Sequence, residues 1–371
     1  MATATRASSF TPRYVGATEQ YVKDQVQDLV FNANVYMWLL KQKGRVEVGK
    51  YGHTHVVGLR QTKTAAPETG RHLDPVTFSV PDGPQAAKFE YGEYRKGIAY
   101  SLSEQADNGG STQQVDLVQE RIDAELLTFA EAINYDLIQG NASDSLRMLG
   151  LMQAVYPKTH TGVADTCVRS AMRNADNPYG DITRTGSTGW ENVAVSLATG
   201  ANSGWTTSVD HIFQLSGTNN AKSRSLKALD NVMQYGCTYG KIKPDCILST
   251  PRPWLDYQHS VAQVVRYVGG TGEGDLGIPY IMHNGAMWGV EEQLASTGTI
   301  GSATTASADM LMVLNTQFIK LCVEEGWYFD TSRDWSQFPN QVAEGTILLF
   351  RGFHECHNPR YQGVLFNYGV A

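Results

Sequence analysis

Several features are scarce in this chain of 371 residues. No apolar run approaches ~18 residues, so no membrane-spanning helix is expected. The net charge is -7 and no block of Lys or Arg occurs. The basic stripe that usually accompanies sequence-specific nucleic-acid binding is therefore missing, although a wall that merely surrounds nucleic acid needs none. The 5 cysteines (Cys167, Cys237, Cys246, Cys322 and Cys356) are odd in number and show no CxxC spacing. They are expected as free thiols in a reducing cytosol, not as a disulfide or zinc framework. Residues 1–16 lack the apolar core of a signal peptide, and no internal repeat is evident. Only 18% of residues are charged while 42% are hydrophobic, which argues against a disordered chain. The length allows two domains and a sizeable core.

What is present is a mismatch of parts. Residues 1–17 form a Ser/Thr-rich arm. Over 18–42, Val22, Val26, Leu29, Val30, Ala33, Met37 and Leu40 make one apolar stripe at a helical period, closed by Gly44. Residues 45–60 turn to β character, with Val46/Val48 and Val56/Val57. Residues 61–85 hold Pro67, Gly70, Pro75, Pro81, Gly83 and Pro84, an irregular tip. Residues 86–104 return as a strand with Phe89, Tyr91, Tyr94 and Tyr100. The expectation is one long hairpin over 44–104 with little to pack on in its own chain, since isolated hairpins are marginal in water. Beside it, Val115, Val118, Ile122, Leu126, Phe129, Ile133 and Leu137 follow a capping-box pair, Ser111 and Gln114. They predict a single helix over 112–139, about 42 Å long. Residues 157–220 read as loops with short strands. Further helices are predicted at about 220–235 and 252–267, with a strand at 246–249 between them. Strands are predicted at 310–323, 346–353 and 364–366.

The search for chemistry yields little. Gly44, Gly49 and Lys50 match most of a phosphate-binding loop, but Tyr51 stands where Ser or Thr should meet magnesium, and the order is helix then strand. Gly272, Gly274 and Gly277 fit G-x-G-x-x-G, yet strand-like residues follow where a helix N-terminus must face a pyrophosphate. His53 and His55 would share one strand face, and His354 and Cys356 another, with His357 beside them. Two such distant pairs fall short of the three or four convergent ligands a metal needs. Asp107, Asp116, Glu291/Glu292 and Glu324/Glu325 supply carboxylates without marking a general acid/base pair, and there is no serine elbow or Cys/His signature. No catalytic, cofactor-binding or metal residue is assigned, and no enzyme is expected.

The order of elements carries the main signal: arm and helix, extended loop, long helix, Gly-rich mixed domain, returning C-terminal strands. It resembles the major capsid protein of tailed bacteriophages, the Hong Kong 97-type fold. The stretch Lys243-Pro244-Asp245-Cys246-Ile247-Leu248-Ser249-Thr250-Pro251 with Trp254 is similar to the axial-domain passage from strand to helix. Phe338-Pro339-Asn340-Gln341-Val342, Leu348-Leu349-Phe350-Arg351 and Gly363-Val364-Leu365-Phe366 look like the closing peripheral strands. The resemblance implies an α+β fold with residues 1–43 as N-terminal arm and helix and 44–110 as extended loop. Residues 111–165 plus 341–371 would be a peripheral domain with a spine helix, and 166–340 an axial domain. It implies hexamers and pentamers in an icosahedral shell around double-stranded DNA, no membrane, and scaffolding and portal proteins as partners. The shell would be a virion capsid assembled in the host bacterial cytoplasm. Lys63 lies at a loop position where some members crosslink to a neighbour, but no motif marks its partner and no crosslink is assigned. Two other readings stand beside this one. A non-viral, encapsulin-like shell would differ in cargo, and a motif-free intracellular hydrolase would stay a small oligomer. A tail or adhesion protein would show a repeat, and none is found.

Overall fold

The computed structural model describes residues 35–50, 52, 54–59, 85–101, 111–140, 146–155, 173–174, 178–184, 190–197, 224–262, 281–294, 309–331, 336–337, 343–366 and 368. In chain order the helices and strands are α1 (Val35–Gln42), β1 (Val46–Gly49), β2 (Thr54–Leu59), β3 (Gln85–Glu90), β4 (Gly92–Ser101), α2 (Ser111–Ile138), α3 (Leu151–Ala154), β5 (Arg173–Asn174), β6 (Asn192–Ser196), α4 (Arg224–Asn231), β7 (Cys246–Ser249), α5 (Pro251–Ala262), β8 (Ile281–His283), β9 (Ala286–Val290), β10 (Leu311–Leu314), β11 (Ile319–Thr331), β12 (Ser336–Gln337), β13 (Ala343–Cys356) and β14 (Gly363–Phe366). The expected α+β class is what the structure shows.

The long helix forms where the stripe predicted it. Leu126, Phe129, Ile133 and Leu137 of α2 are buried, at steps of three and four. The Val115, Val118 and Ile122 side chains lie outside what the structure describes. Beyond α2, Gly140 adopts φ +53° and lies so close to Gly150 that a Cβ there would fall 2.0 Å from the Gly150 nitrogen. Only glycine permits that crossing.

Five strands make the first sheet. β13 is its spine. β11 and then β12 pair along one edge, β4 along the other, and β1 adds to β11 in parallel. β11 is not regular. Residues 324–327 bulge opposite Arg351, between the pairs Val323–Gly352 and Tyr328–Phe350, and Gly326 takes φ +83° there. The Arg351 guanidinium fills the bend, 2.8 Å from Glu324 and 4.6 Å over the Tyr91 ring. α2 lies along β4, where Lys96 pairs with Glu125 at 2.7 Å and the Tyr94 hydroxyl donates to Asp136 at 2.8 Å.

Seven short strands make the second sheet, in the order β5-β6-β14-β10-β7-β9-β8. Its strands β7, β10 and β14 are buried at every residue, because both faces are covered. Val193, Val195, Ile247, Leu311, Val313 and Leu365 pack with Leu229, Val232 and Tyr257 on one side. Ala194, Cys246, Leu248, Met312, Leu314, Val364 and Phe366 face the other way, into a cluster shared with α1, α2 and the first sheet. Continuous apolar runs are what such doubly covered strands require.

Two sequence expectations are corrected here. The hairpin expected over 44–104 is narrower: only β2 and β3 pair with each other, from Thr54–Glu90 to Leu59–Gln85, while β1 and β4 belong to the first sheet. The hairpin base also packs on its own chain. Phe89 and Ala87 are buried, and His55, Phe89 and Tyr91 all contact Phe353 of β13, with ring centroids 5.1, 6.5 and 5.0 Å away. The tip, 61–84, lies outside the described residues. Second, the strand expected over 310–323 is two strands in different sheets, β10 and β11, split by a short 3-10 turn at Thr316–Phe318.

Candidate functional site

The chain passes by a short connection from one large sheet to the other at two neighbouring places among the described residues, 315–318 and 357–362, and these passages are bound to one another. The Asn315 amide nitrogen donates to the Gln362 side-chain oxygen at 2.7 Å, and the Gln362 side-chain nitrogen donates back to the Asn315 carbonyl at 3.1 Å. The His357 backbone nitrogen donates to the Phe318 carbonyl at 2.9 Å. The Phe318 and Tyr361 rings stack with centroids 4.6 Å apart. Asp245, just before β7, closes the knot by accepting from the Thr316 nitrogen at 2.8 Å and from the Thr316 hydroxyl at 2.5 Å. Asn315 and Gln362 are buried, and their polar atoms are satisfied, as buried polar groups must be. The sequence does carry this signal: Asn315 interrupts two apolar runs and accepts from Gln317 at 3.1 Å, the local turn that Asn favours. Gln362 had no local mark.

The alternation of β13 sends adjacent residues to opposite faces. His354 faces the core. Its Nε2 shares a 2.6 Å hydrogen bond with the Tyr36 hydroxyl of α1. Burial holds its imidazole down at about 4, so it is neutral. Glu355 faces outward beneath the hairpin. His357 Nε2 lies 2.6 Å from its Oε1, and His55 Nε2 of β2 lies 3.3 Å from its Oε2. Burial alone would raise its pKa, but the hydrogen bond from His357 and the charges of His357, His55 and Lys320 outweigh that and keep it below the ordinary carboxylate range.

The remaining sequence candidates are dispersed. Gly44 ends α1 with φ +64°, and Lys50 is exposed beside Glu325 at 3.6 Å; β1 lies between them, not a phosphate cradle. His53, Tyr51, Lys63, Asp107, Cys167, Gly272, Gly274 and Gly277 lie outside the described residues, as does the side chain of Asp116. Glu291 is buried and accepts from the Tyr36 backbone nitrogen at 3.2 Å; burial pushes it up to about 7. Glu292 is its exposed neighbour, and Glu324 is held by Arg351. Burial raises the Cys246 thiol and pushes Cys356 up to about 12, so neither offers a thiolate at neutral pH. Among the described residues, no group of three His, Cys, Asp or Glu is placed to hold a metal, and no helix is long and apolar enough to cross a membrane. A network that the sequence reading missed joins Tyr257, His283 and Asp230. The Tyr257 hydroxyl is 2.7 Å from His283 Nδ1, and His283 Nε2 is 3.0 Å from Asp230. It ties α5, β8 and α4 together.

No protein-family model and no curated protein matches the chain. Solved structures do. The capsid subunit of cyanophage A-1(L) superposes with a TM-score of 0.51 at 10% identity, over 87% of this chain and 90% of that one. The capsid of a native GTA particle matches with a TM-score of 0.49 at 12% identity, over 88% of each chain. An encapsulin complex from Synechococcus elongatus matches with a TM-score of 0.42 at 11% identity, over 77% of this chain and 76% of that one. At such identities the likeness concerns fold, and the cyanophage subunit carries it: this chain shares that subunit's fold across most of its length.

Proposed function

We propose that this chain is a major capsid protein, the repeating subunit of an icosahedral shell that encloses a double-stranded DNA phage genome. The fold shared with the cyanophage capsid subunit is the observation that carries this reading. Two further features agree with it. The described residues hold long strands and a long helix, extended elements suited to a wall. The negative net charge suits a wall that contains DNA without reading its sequence.

In this reading the fold is Hong Kong 97-like and the role is structural, not enzymatic. Residues 1–43 act as N-terminal arm and helix and 44–110 as the extended loop, with α2 as the spine helix. Residues 111–165 plus 341–371 form the peripheral domain around β13 and α2. The axial domain expected over 166–340 keeps the seven-stranded sheet, which β14 crosses over to complete, while β11 and β12 pair with β13 and go with the peripheral domain. Copies of the chain assemble as hexamers and pentamers, aided by scaffolding and portal proteins, and reside in the virion capsid. Small contacts suffice, because closed symmetry repeats each of them across the lattice.

Electron microscopy of the purified full-length protein tests this directly, with closed particles built of five- and six-fold clusters as the expected result. A protein that stays a small oligomer at high concentration overturns it. Nuclease-protected DNA in the particles supports the viral shell, whereas protein cargo without DNA favours an encapsulin-like compartment.

A further inference from the structure

We propose that His55, Glu355 and His357 form a proton-operated clasp that fastens the β2–β3 hairpin to the outer face of β13 more tightly as pH falls. The geometry is specific. Glu355 is a carboxylate whose side chain is only 3% exposed, placed between two imidazoles that remain about a quarter exposed. One imidazole, His55, belongs to the hairpin. The other, His357, belongs to the same crossover as Gln362. The His55 ring is stacked on Phe353, with centroids 5.1 Å apart, which holds it beside the carboxylate.

The other groups facing Glu355 are a lysine, two thiols and a phenol. Lys320 of β11 is engaged by Glu47 of β1 at 2.6 Å, which raises it further. Cys322 places its thiol 3.8 Å from Glu355 Oε1. Tyr179 is fully buried with its phenol raised by that burial, and Cys356 is likewise raised. The neighbouring His354 points to the opposite face and is held neutral.

The sign follows. An imidazole ordinarily gains its proton between about pH 8 and 5. Positive charge on the His55 ring, the one imidazole on the hairpin, adds attraction to a carboxylate shielded from water and strengthens the hairpin's hold. The hold weakens again only in strong acid, once Glu355 itself is protonated, because its own range lies below that of an ordinary carboxylate.

Hydrogen exchange on the unassembled full-length subunit tests the clasp, comparing pH 8 with pH 5.5 after correction for intrinsic exchange. In the wild type, amides of 54–59 and 85–90 should gain about fivefold protection at the lower pH, the upper end for a partly exposed ion pair. Amides in 92–101 serve as the reference for a folded first sheet. His55→Phe keeps the ring stack and should abolish the pH response, and Glu355→Gln should do the same. A wild-type hairpin equally protected at both pH values overturns the proposal, as does a full response persisting in His55→Phe with the reference amides intact. Should Glu355→Gln lose the reference protection as well, His55→Phe decides alone.

Discussion

The two larger sheets of this molecule, of five and seven strands, solve opposite problems. The seven-stranded sheet is short in every strand and covered on both faces, so β7, β10 and β14 carry apolar or small residues at every position. The five-stranded sheet is built on three long strands, β4, β11 and β13, and among the described residues one of its faces is only partly covered. On β13, Leu348, Phe350, His354 and Cys356 point into the core, while Ile347, Leu349 and Arg351 point away from it. Among the described residues, the hairpin base covers that outer face near Phe353 and Glu355. A doubly covered sheet can tolerate almost nothing, whereas a half-covered one has room for charged pairs, a bulge and a clasp.

The contrast breaks most sharply at its buried end. Leu248→Asp would place a charge without a counterion between the two apolar layers. The expected cost exceeds about 4 kcal/mol out of a total stability of roughly 5–15. The measurement is soluble yield and cooperative unfolding. Wild-type values would mean that the second sheet is not the core.

Phe353→Ala probes the place where the half-covered face becomes buried. Loss of the aromatic contacts with His55, Phe89 and Tyr91 should cost about 3–5 kcal/mol. It should also release exchange protection in 54–59 and 85–90 before the rest of the subunit unfolds. Uniform loss across both sheets would show that the hairpin is not a separable layer.

Glu291 sharpens the comparison through pH. Its folded-state value, about 7, lies above the ordinary 4.5, so the folded state holds the proton more tightly than the unfolded state. Its contribution is therefore complete below about pH 4.5 and is lost as pH rises through 7, by roughly 3 kcal/mol. Denaturant unfolding at pH 5 and pH 8 should show this difference, reduced in Glu291→Gln. An identical slope in the variant would place the pH dependence elsewhere.

At the mild end, Ile347→Ser changes a residue 44% exposed on the open face of β13. Stability of the unassembled subunit should move by no more than about 0.5 kcal/mol. A larger loss would mean that this face is covered within the subunit after all.

The difference between the sheets also explains what could be read in advance. The α2 stripe was legible because a long amphipathic helix repeats its signal many times; Leu126, Phe129, Ile133 and Leu137 are core positions the spacing picked out, and Ala130 and Ile138 join them. The 246–249 strand was legible as a short apolar run bounded by Pro244 and Pro251. The break at Asn315 was not read, because the apolar runs on either side suggested one strand, and nothing local says that two strands enter different sheets. The hairpin was misjudged for the same reason. His55, Phe89 and Tyr91 look like a half-exposed aromatic pattern until Phe353, more than 260 residues later than Phe89, is brought beneath them.

By itself the sequence determined the class of the fold, the long helix, the main strands and the poverty of catalytic motifs. Each of these rests on periodicity or composition, which are local properties. The tertiary structure alone decided which strands share a sheet, that the two crossovers are bound through Asn315 and Gln362, that adjacent His354 and Glu355 meet opposite environments, and that the hairpin base rests on its own subunit. Those outcomes depend on contacts between residues far apart in the chain, and their energies arise from burial and charge pairing that no local segment contains.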